Sequence, residues 1–283
     1  MEKRTIAIGN GRELAYRECG TPDGQPVIYC HGGFMSGLDV APWDDAATAA
    51  GVRIVAPARP GLDGSSSASG RTTGDWADDV RALLDGLEIP TASVFGWSMG
   101  GQYALACAAR LADRVTRAVV IAGALPLTDD QTLHELNKMD QRLTQQARHR
   151  PWAARLTLGA MAQMAKHAPK LWTKTLTKDL PDAEAKIVRE LSDPGLATAA
   201  AAGLASTHGM VDEYLAWARP WGFEAAAIEV PTTIWQGAAD QLVPKHWGEA
   251  LAQQIPNARL SLRDGEGHFV AYSHQAEVLA DLV

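Results

Sequence analysis

The 283-residue sequence has few cysteines, no long hydrophobic run and no sustained run of basic residues. Cys19, Cys30 and Cys107 lack CxxC spacing and lie in or beside strand-like or apolar segments, which predicts buried thiols and argues against disulfides. No stretch approaches the roughly 18 uninterrupted apolar residues of a membrane-spanning helix. The net charge of -7 argues against a nucleic acid partner. We therefore expect a cytoplasmic protein that binds neither membranes nor nucleic acids.

Short β-branched runs alternate with helical patterns along most of the chain. Hydrophobic residues make up 46% and charged residues 21% of the sequence, as in ordinary globular proteins. The alternation indicates βαβ units around a mostly parallel sheet. We predict eight strands, at residues 5–8, 13–19, 27–30, 52–56, 93–95, 115–122, 232–236 and 258–262. The segment 64–74 is rich in serine and glycine, and we expect it to be an exposed, mobile loop.

One long region breaks this alternation. Residues 126–221 contain no convincing strand, but they contain several helical patterns with leucine, methionine and tryptophan spacing. Prolines interrupt these patterns at Pro151, Pro169, Pro181 and Pro194. We therefore predict a core domain of residues 1–124 and 223–283, with a helical cap of residues 125–222 inserted into it.

A candidate nucleophile lies between a predicted strand and a predicted helix. Residues 96–100 read Gly-Trp-Ser-Met-Gly and match the pattern G-x-S-x-G, with Ser98 at the centre. A nucleophile at a sharp strand-to-helix turn adopts strained backbone angles, and side chains at the flanking positions would collide with the turn. This steric requirement explains why glycine stands on both sides of the motif. The N-terminus of the following helix helps to stabilise negative charge at Ser98.

A serine hydroxyl needs an adjacent base, and that base needs a carboxylate to hold it in the correct tautomer. His268 lies in the loop after the last predicted strand, and Asp240 lies in the loop after the preceding one. Reactive groups of open parallel sheets gather at the carboxyl ends of strands, where all three positions fall. We therefore predict the triad Ser98, Asp240 and His268.

Backbone N–H groups near Ser98 are candidates for an oxyanion hole, which acyl transfer requires. Residues 30–34 read Cys-His-Gly-Gly-Phe and follow the third predicted strand, so Gly33 or Phe34 is placed to supply one N–H. The second N–H is that of Met99, the residue after the candidate nucleophile.

These motifs resemble the α/β-hydrolase superfamily over nearly the whole chain. The landmarks occur in family order: the His31-Gly32-Gly33 turn, the Arg59-Pro60-Gly61 turn, the Ser98 motif, and the Asp240 and His268 loops. The resemblance implies an eight-stranded, mostly parallel sheet flanked by helices, a helical cap after the sixth strand, and activity without a cofactor. A serine nucleophile argues against relatives that work through an aspartyl ester.

Large apolar side chains in the insertion predict a hydrophobic pocket between cap and sheet, suited to a medium-sized, largely apolar substrate. The candidate pocket residues are Trp97, Met161, Met164, His208 and Phe269.

The sequence predicts a serine hydrolase that cleaves a carboxylic ester or lactone of a small molecule through an acyl-enzyme intermediate. Carbon-carbon bond hydrolases, thioesterases and cofactor-free perhydrolases use the same triad. A ligand-sensing receptor with an intact triad is a further alternative. The histidines outside the triad lack metal-site spacing, so no metal is expected. The sequence leaves open whether the chain forms a homodimer.

Overall fold

The structure, a computed structural model, describes residues 1–178, 180–191 and 195–283. Its sheet is built from β1 (Arg4–Ala7), β2 (Glu13–Gly20), β3 (Gln25–Cys30), β4 (Val52–Pro57), β5 (Ala92–Trp97), β6 (Val115–Ile121), β7 (Thr232–Gly237) and β8 (Ala258–Arg263). The eight strands pair in the order β1-β2-β4-β3-β5-β6-β7-β8. Only the pairs β1·β2 and β2·β4 are antiparallel among the described strands. The predicted eight-stranded, mostly parallel sheet is confirmed.

Burial along the strands follows their place in the sheet. Strands β5 and β7 are buried at every residue, as expected of parallel strands that are covered on both faces. The edge strand β1 is mostly exposed. Gly9, Asn10 and Gly11 all have positive φ angles of 85°, 52° and 68°, which explains the Gly-Asn-Gly turn between β1 and β2. Cys19, Cys30 and Cys107 are buried free thiols, as predicted.

The sheet is flanked by α1 (Asp44–Ala49), α2 (Trp76–Gly86), α3 (Met99–Arg110), and, near the C-terminus, three further helices described below. Helix α2 buries Trp76, Val80, Leu83 and Leu84, which recur at three and four residues. This spacing forms one apolar stripe that packs into the core.

Between β6 and β7, the described residues form helices and no strand. These are α4 (Asp130–Glu135), α5 (Lys138–His149), α6 (Pro151–His167), α7 (Pro169–Leu176), α8 (Asp182–Leu191), α9 (Gly195–Leu204) and α10 (Thr207–Trp217). We call these seven helices the cap. Pro151 and Pro169 are the first residues of their helices, where a proline loses no hydrogen bond. Pro181 lies just before α8, and Pro194 lies outside the described residues.

The chain returns to the sheet at β7 and continues through α11 (Lys245–Gln254), β8, α12 (Val270–Ser273) and α13 (Gln275–Ala280). No helix among the described ranges has both the length and the apolar character needed to cross a bilayer.

The serine-rich segment 64–74 is partly buried, so the expectation of an exposed loop is wrong there. The Ser65 hydroxyl donates to the carbonyl of Ala58 at 2.7 Å and accepts from the N–H of Ala15 at 3.0 Å. Arg71 and Thr73 are also buried. A small polar side chain whose hydrogen bonds are satisfied can be buried, and composition alone does not show this.

Candidate active site

Ser98 occupies a strained turn between β5 and α3. Its φ of 56° and ψ of -127° lie outside the regions that non-glycine residues ordinarily adopt. A Cβ atom on Gly96 would lie 2.2 Å from the carbonyl oxygen of Gly100. A Cβ atom on Gly100 would lie 2.0 Å from the carbonyl oxygen of Cys30. The turn therefore requires glycine on both sides of the serine.

The candidate oxyanion-hole residues lie beside this turn. A Cβ atom on Gly33 would lie 3.4 Å from Met99 Cε, so the loop after β3 touches the residue after Ser98. Phe34 has a positive φ of 62°. No backbone hydrogen bond between the described residues uses the N–H of Phe34 or of Met99. Both N–H groups are thus free to bind a ligand oxygen.

Asp240 and His268 are joined directly. The Nδ1 atom of His268 lies 2.9 Å from Asp240 Oδ2, at hydrogen-bond distance. The other oxygen of Asp240 accepts from the N–H groups of Leu242 and Val243 at 2.8 and 2.9 Å. Asp240 follows β7 and His268 follows β8, and these neighbouring parallel strands end at one edge of the sheet. The aspartate is therefore fixed by backbone, and it fixes the imidazole.

Trp97 links the His268 loop to Ser98. Its Nε1 donates to the carbonyl of His268 at 3.0 Å, and the two rings lie 5.4 Å apart between centroids. The imidazole is therefore next to the residue that precedes Ser98. Among the described hydrogen bonds, none joins the Ser98 hydroxyl to His268; bonds between a nucleophile and its base often tighten only when substrate binds.

Three carboxylates act on His268, which is only 3% exposed. Burial by itself lowers the pKa of this imidazole, but Asp240, Glu184 and Asp140 outweigh burial and raise the pKa above the ordinary value of 6.5. Asp240 comes from the core, whereas Glu184 and Asp140 come from the cap helices α8 and α5. Carboxylates of both the core and the cap therefore determine the pKa of the candidate base.

The predicted pocket residues do not all reach the site. Trp97 and Phe269 are buried and pack ring to ring at 5.2 Å beside His268. Met161 and Met164 are partly buried in α6 and pack against the hydrophobic core. His208 is a correction, because its side chain is 56% exposed and lies 3.4 Å from Asp212 one helical turn away.

The reason for the His208 error lies in the orientation of α10. The inner face of this helix is formed by its buried residues, which are Gly209, Met210, Val211, Glu213, Tyr214, Ala216 and Trp217. His208 falls on the outer face, where an (i, i+4) partner is available in solvent. The polar residues that α10 turns inward are Glu213 and Tyr214.

Sequence reasoning missed a buried ion cluster behind the candidate oxyanion hole. Arg59 Nε donates to Glu213 Oε2 at 2.6 Å, and Arg59 also donates to the carbonyls of His31 and Gly32. Arg71 pairs with the other oxygen of Glu213, which also accepts from the Tyr103 hydroxyl. The Arg59-Pro60-Gly61 turn was a recognisable signal for Arg59, whereas no motif marks Glu213.

Two further carboxylates of the cap were also missed. Asp140 is partly buried and accepts hydrogen bonds from the Tyr214 hydroxyl and from Asn137 Nδ2. The Tyr214 ring lies 6.1 Å from that of Phe34, which places this polar group near the candidate oxyanion hole. Glu184 accepts a hydrogen bond from the backbone of the His268 loop. Neither residue lies in a sequence motif, so only the three-dimensional fold shows them.

Fold and site together define a hydrolase built on an open, mostly parallel α/β sheet. The chain belongs to the alpha/beta hydrolase fold family, whose family model matches residues 25–275. The protein is thus an enzyme of the hydrolase class, as its sequence predicts.

Relatives of the chain include esterases and haloperoxidases. It is 32% identical over 232 residues to a pimeloyl-[acyl-carrier protein] methyl ester esterase of Aromatoleum aromaticum, covering 80% of this chain and 84% of the relative. The bromoperoxidase of Bacillus anthracis superposes with a TM-score of 0.72 at 23% identity, over 99% of this chain and 98% of that one. The enol-lactonase of Burkholderia xenovorans gives 0.70 at 21% identity, over 98% of both chains.

Proposed function

We propose that the protein is a cytoplasmic serine hydrolase that cleaves a carboxylic ester or lactone of a medium-sized, largely apolar small molecule. One observation carries the proposal: His268 is bonded to Asp240 at 2.9 Å, beside a serine held in a strained strand-to-helix turn. A base oriented by a carboxylate and a strained, partly accessible nucleophile are the two parts that acyl transfer to serine requires.

The proposed reaction has two steps. Ser98 attacks the substrate carbonyl while His268 Nε2 takes the hydroxyl proton, and Asp240 stabilises the imidazolium that forms. The N–H of Met99 and that of Gly33 or Phe34 bind the oxyanion. His268 then gives the proton to the leaving alcohol, and a water molecule, activated by the same imidazole, releases the acid from Ser98. These steps use side chains and backbone of this chain and need no cofactor.

The substrate class follows from the side chains around the site. We propose that residues 125–222 form a cap over the core, and that Met161, Met164 and Phe269 contribute apolar wall to the space between them. The relative from Aromatoleum aromaticum is named for a methyl ester, which supports an ester in preference to other acyl bonds. We propose that Asp140 and Tyr214 contribute the polar side chains of that wall.

Replacing the nucleophile tests the proposal directly. We expect Ser98→Ala to abolish hydrolysis of short p-nitrophenyl esters and covalent labelling by a fluorophosphonate, because no other hydroxyl lies in the strained turn. Ser67→Ala is the matched control, since Ser67 is exposed. Mass mapping of the labelled wild-type protein should place the label on Ser98. Retained turnover in Ser98→Ala would remove Ser98 from this role.

A substrate panel separates ester hydrolysis from the other reactions that the same triad supports. Thioesters, a diketone series and peracid formation from a carboxylic acid and hydrogen peroxide should each be slower than ester hydrolysis. A single burst of product without further turnover, together with a ligand-dependent shift in melting temperature, would favour a ligand-sensing receptor.

A further inference from the structure

Glu184 joins the cap to the loop that carries His268. It lies in α8, is only 4% exposed, and its Oε1 accepts a hydrogen bond from the N–H of Phe269 at 3.0 Å. A Cβ atom on Gly267 would lie 2.3 to 2.4 Å from the carboxyl group of Glu184. The carboxylate therefore rests on the backbone on both sides of His268, and Gly267 has no side chain because this acid occupies the space.

The second oxygen of Glu184 is buried without a hydrogen-bond partner among the described residues. Beside it, a cavity of about 130 Å³ separates α8 from the loop, with Pro181 and Ile187 on the helix side and Gly267 and Phe269 on the loop side. An unsatisfied buried carboxylate oxygen lowers stability, so its presence here calls for a functional explanation.

The charges around the histidine show what this explanation is. Of the carboxylates that act on His268, Asp240 and Asp140 each have further hydrogen-bond donors of their own. Glu184 accepts from the N–H of Phe269, and the backbone of His268 and the charges of His268 and Asp240 also act on it. Glu266, in the same loop, pairs instead with His274 at 2.6 Å. Of the groups that act on Glu184, His268 is the one that can carry a positive charge.

We propose that Glu184 is a positioning residue of the active site: it holds the backbone of residues 267–269 from the cap and stabilises the protonated form of His268. The inference rests on the proposed function, because it assigns Glu184 a role through the base of that reaction. Where the cap packs on the core, Glu184 adds a hydrogen bond to the backbone of the His268 loop and a negative charge near the imidazole.

Two substitutions of Glu184 separate its two proposed roles, which are to hold the backbone of the His268 loop and to supply negative charge. Glu184→Gln keeps an oxygen that accepts from Phe269 but removes the charge. We expect the acid limb of kcat/KM against pH to move to lower pH by about one unit, and kcat at high pH to fall about threefold, because the imidazolium that forms in the reaction is less stabilised. Glu184→Ala loses the acceptor as well, and kcat should fall about tenfold because the imidazole is less well placed.

The matched control is Glu190→Gln. Glu190 lies on the same helix but is exposed, with Lys186 Nζ at 3.8 Å, so the pH profile of the Glu190→Gln variant should equal that of the wild type. The same titration is read without turnover by following the His268 imidazole resonances by NMR. Glu184→Gln is isosteric, so it carries the test even where Glu184→Ala fails to fold.

The outcomes are distinct. An unshifted acid limb and an unshifted imidazole titration in Glu184→Gln would overturn the inference. A shifted imidazole titration in a protein that hydrolyses no ester would overturn the proposed function and support the placement of Glu184. A shift of equal size in Glu190→Gln would show a general effect of charge and also overturn the inference.

Discussion

Two buried glutamates of the cap reach the core in opposite electrostatic settings. Glu213 on α10 meets Arg59 and Arg71 and is fully buried between them. Glu184 on α8 meets the backbone of the His268 loop, and no arginine or lysine in the described part of the chain pairs with it. Burial raises the pKa of both, but the two arginines bring that of Glu213 below its ordinary value, whereas that of Glu184 stays raised.

This difference in charged partners suggests different roles for the two contacts: that of Glu213 anchors the cap, and that of Glu184 affects the candidate base. Arg59, paired with Glu213, also binds the carbonyls of His31 and Gly32, so this cluster fixes the backbone that leads into the candidate oxyanion hole. Glu184 fixes the other half of the site. We infer that the first contact mainly supports folding, and that the second tunes the base.

The largest expected effect tests the premise that His268, the residue on which Glu184 is proposed to act, is the base of the reaction. Asp240→Asn should lower kcat about 10⁴-fold, because an asparagine holds the imidazole in the wrong tautomer while still accepting from Leu242 and Val243. Turnover of p-nitrophenyl esters measures it. Asp264→Asn, an exposed neighbour of the His268 loop, should match the wild type. An undiminished rate in Asp240→Asn would point to another acid.

The second prediction compares the two glutamates in stability. Glu213→Ala leaves Arg59 and Arg71 buried without a carboxylate to balance their charge, which should lower the free energy of unfolding by about 3 to 5 kcal/mol. Glu184→Ala leaves no buried arginine unpaired, but it removes the acceptor of the Phe269 N–H, so the loss should be smaller, about 1 to 3 kcal/mol. Urea unfolding of both variants measures the contrast. Equal losses would contradict the division between anchoring and tuning.

The parts of this comparison that lie on the sheet were predictable from sequence. The turn at Ser98 needs glycine at two fixed positions, and steric requirements of this kind leave a local pattern. Asp240 and His268 could be placed at one edge because consecutive parallel strands end there. Local sequence therefore predicted where the candidate triad lies.

The contributions of the cap were not predictable in the same way. Glu184 and Glu213 lie 85 or more residues from the partners Phe269 and Arg59 in the chain, and no short-range pattern encodes how helices dock. His208 shows the converse, because a plausible polar residue of the insertion points outward. Helix orientation, which composition does not fix, decides which polar side chain of α10 faces the core.

The third prediction concerns pH and has opposite signs for the two acids. Glu213 has a lowered pKa when folded, so it adds stability above its ordinary value of 4.5, and that stability is lost as pH falls through its folded pKa. Glu184 has a raised pKa, so its contribution is complete below 4.5 and is lost as pH rises through its folded pKa.

Urea unfolding between pH 3.5 and about 6 tests these signs, below the titration of His268, whose pKa lies above 6.5. As pH rises, Glu213→Gln should lose stability relative to the wild type, and Glu184→Gln should gain it. Glu190→Gln should show neither trend. Slopes of the same sign for both buried glutamates would remove the electrostatic basis of the comparison.

The smallest expected effect lies on the outer face of the cap, whose described side chains contact neither the Arg59 cluster nor the His268 loop. Trp152 and Leu156 on α6 are 64% and 67% exposed, so Trp152→Ser and Leu156→Ser should change the free energy of unfolding by no more than about 0.5 kcal/mol and leave kcat unchanged. Leu158, two residues further along the same helix, is fully buried, and Leu158→Ala should cost about 2 to 5 kcal/mol. A loss of ester turnover in Trp152→Ser would show that the outer face also acts on the reaction, because this side chain has little packing to lose.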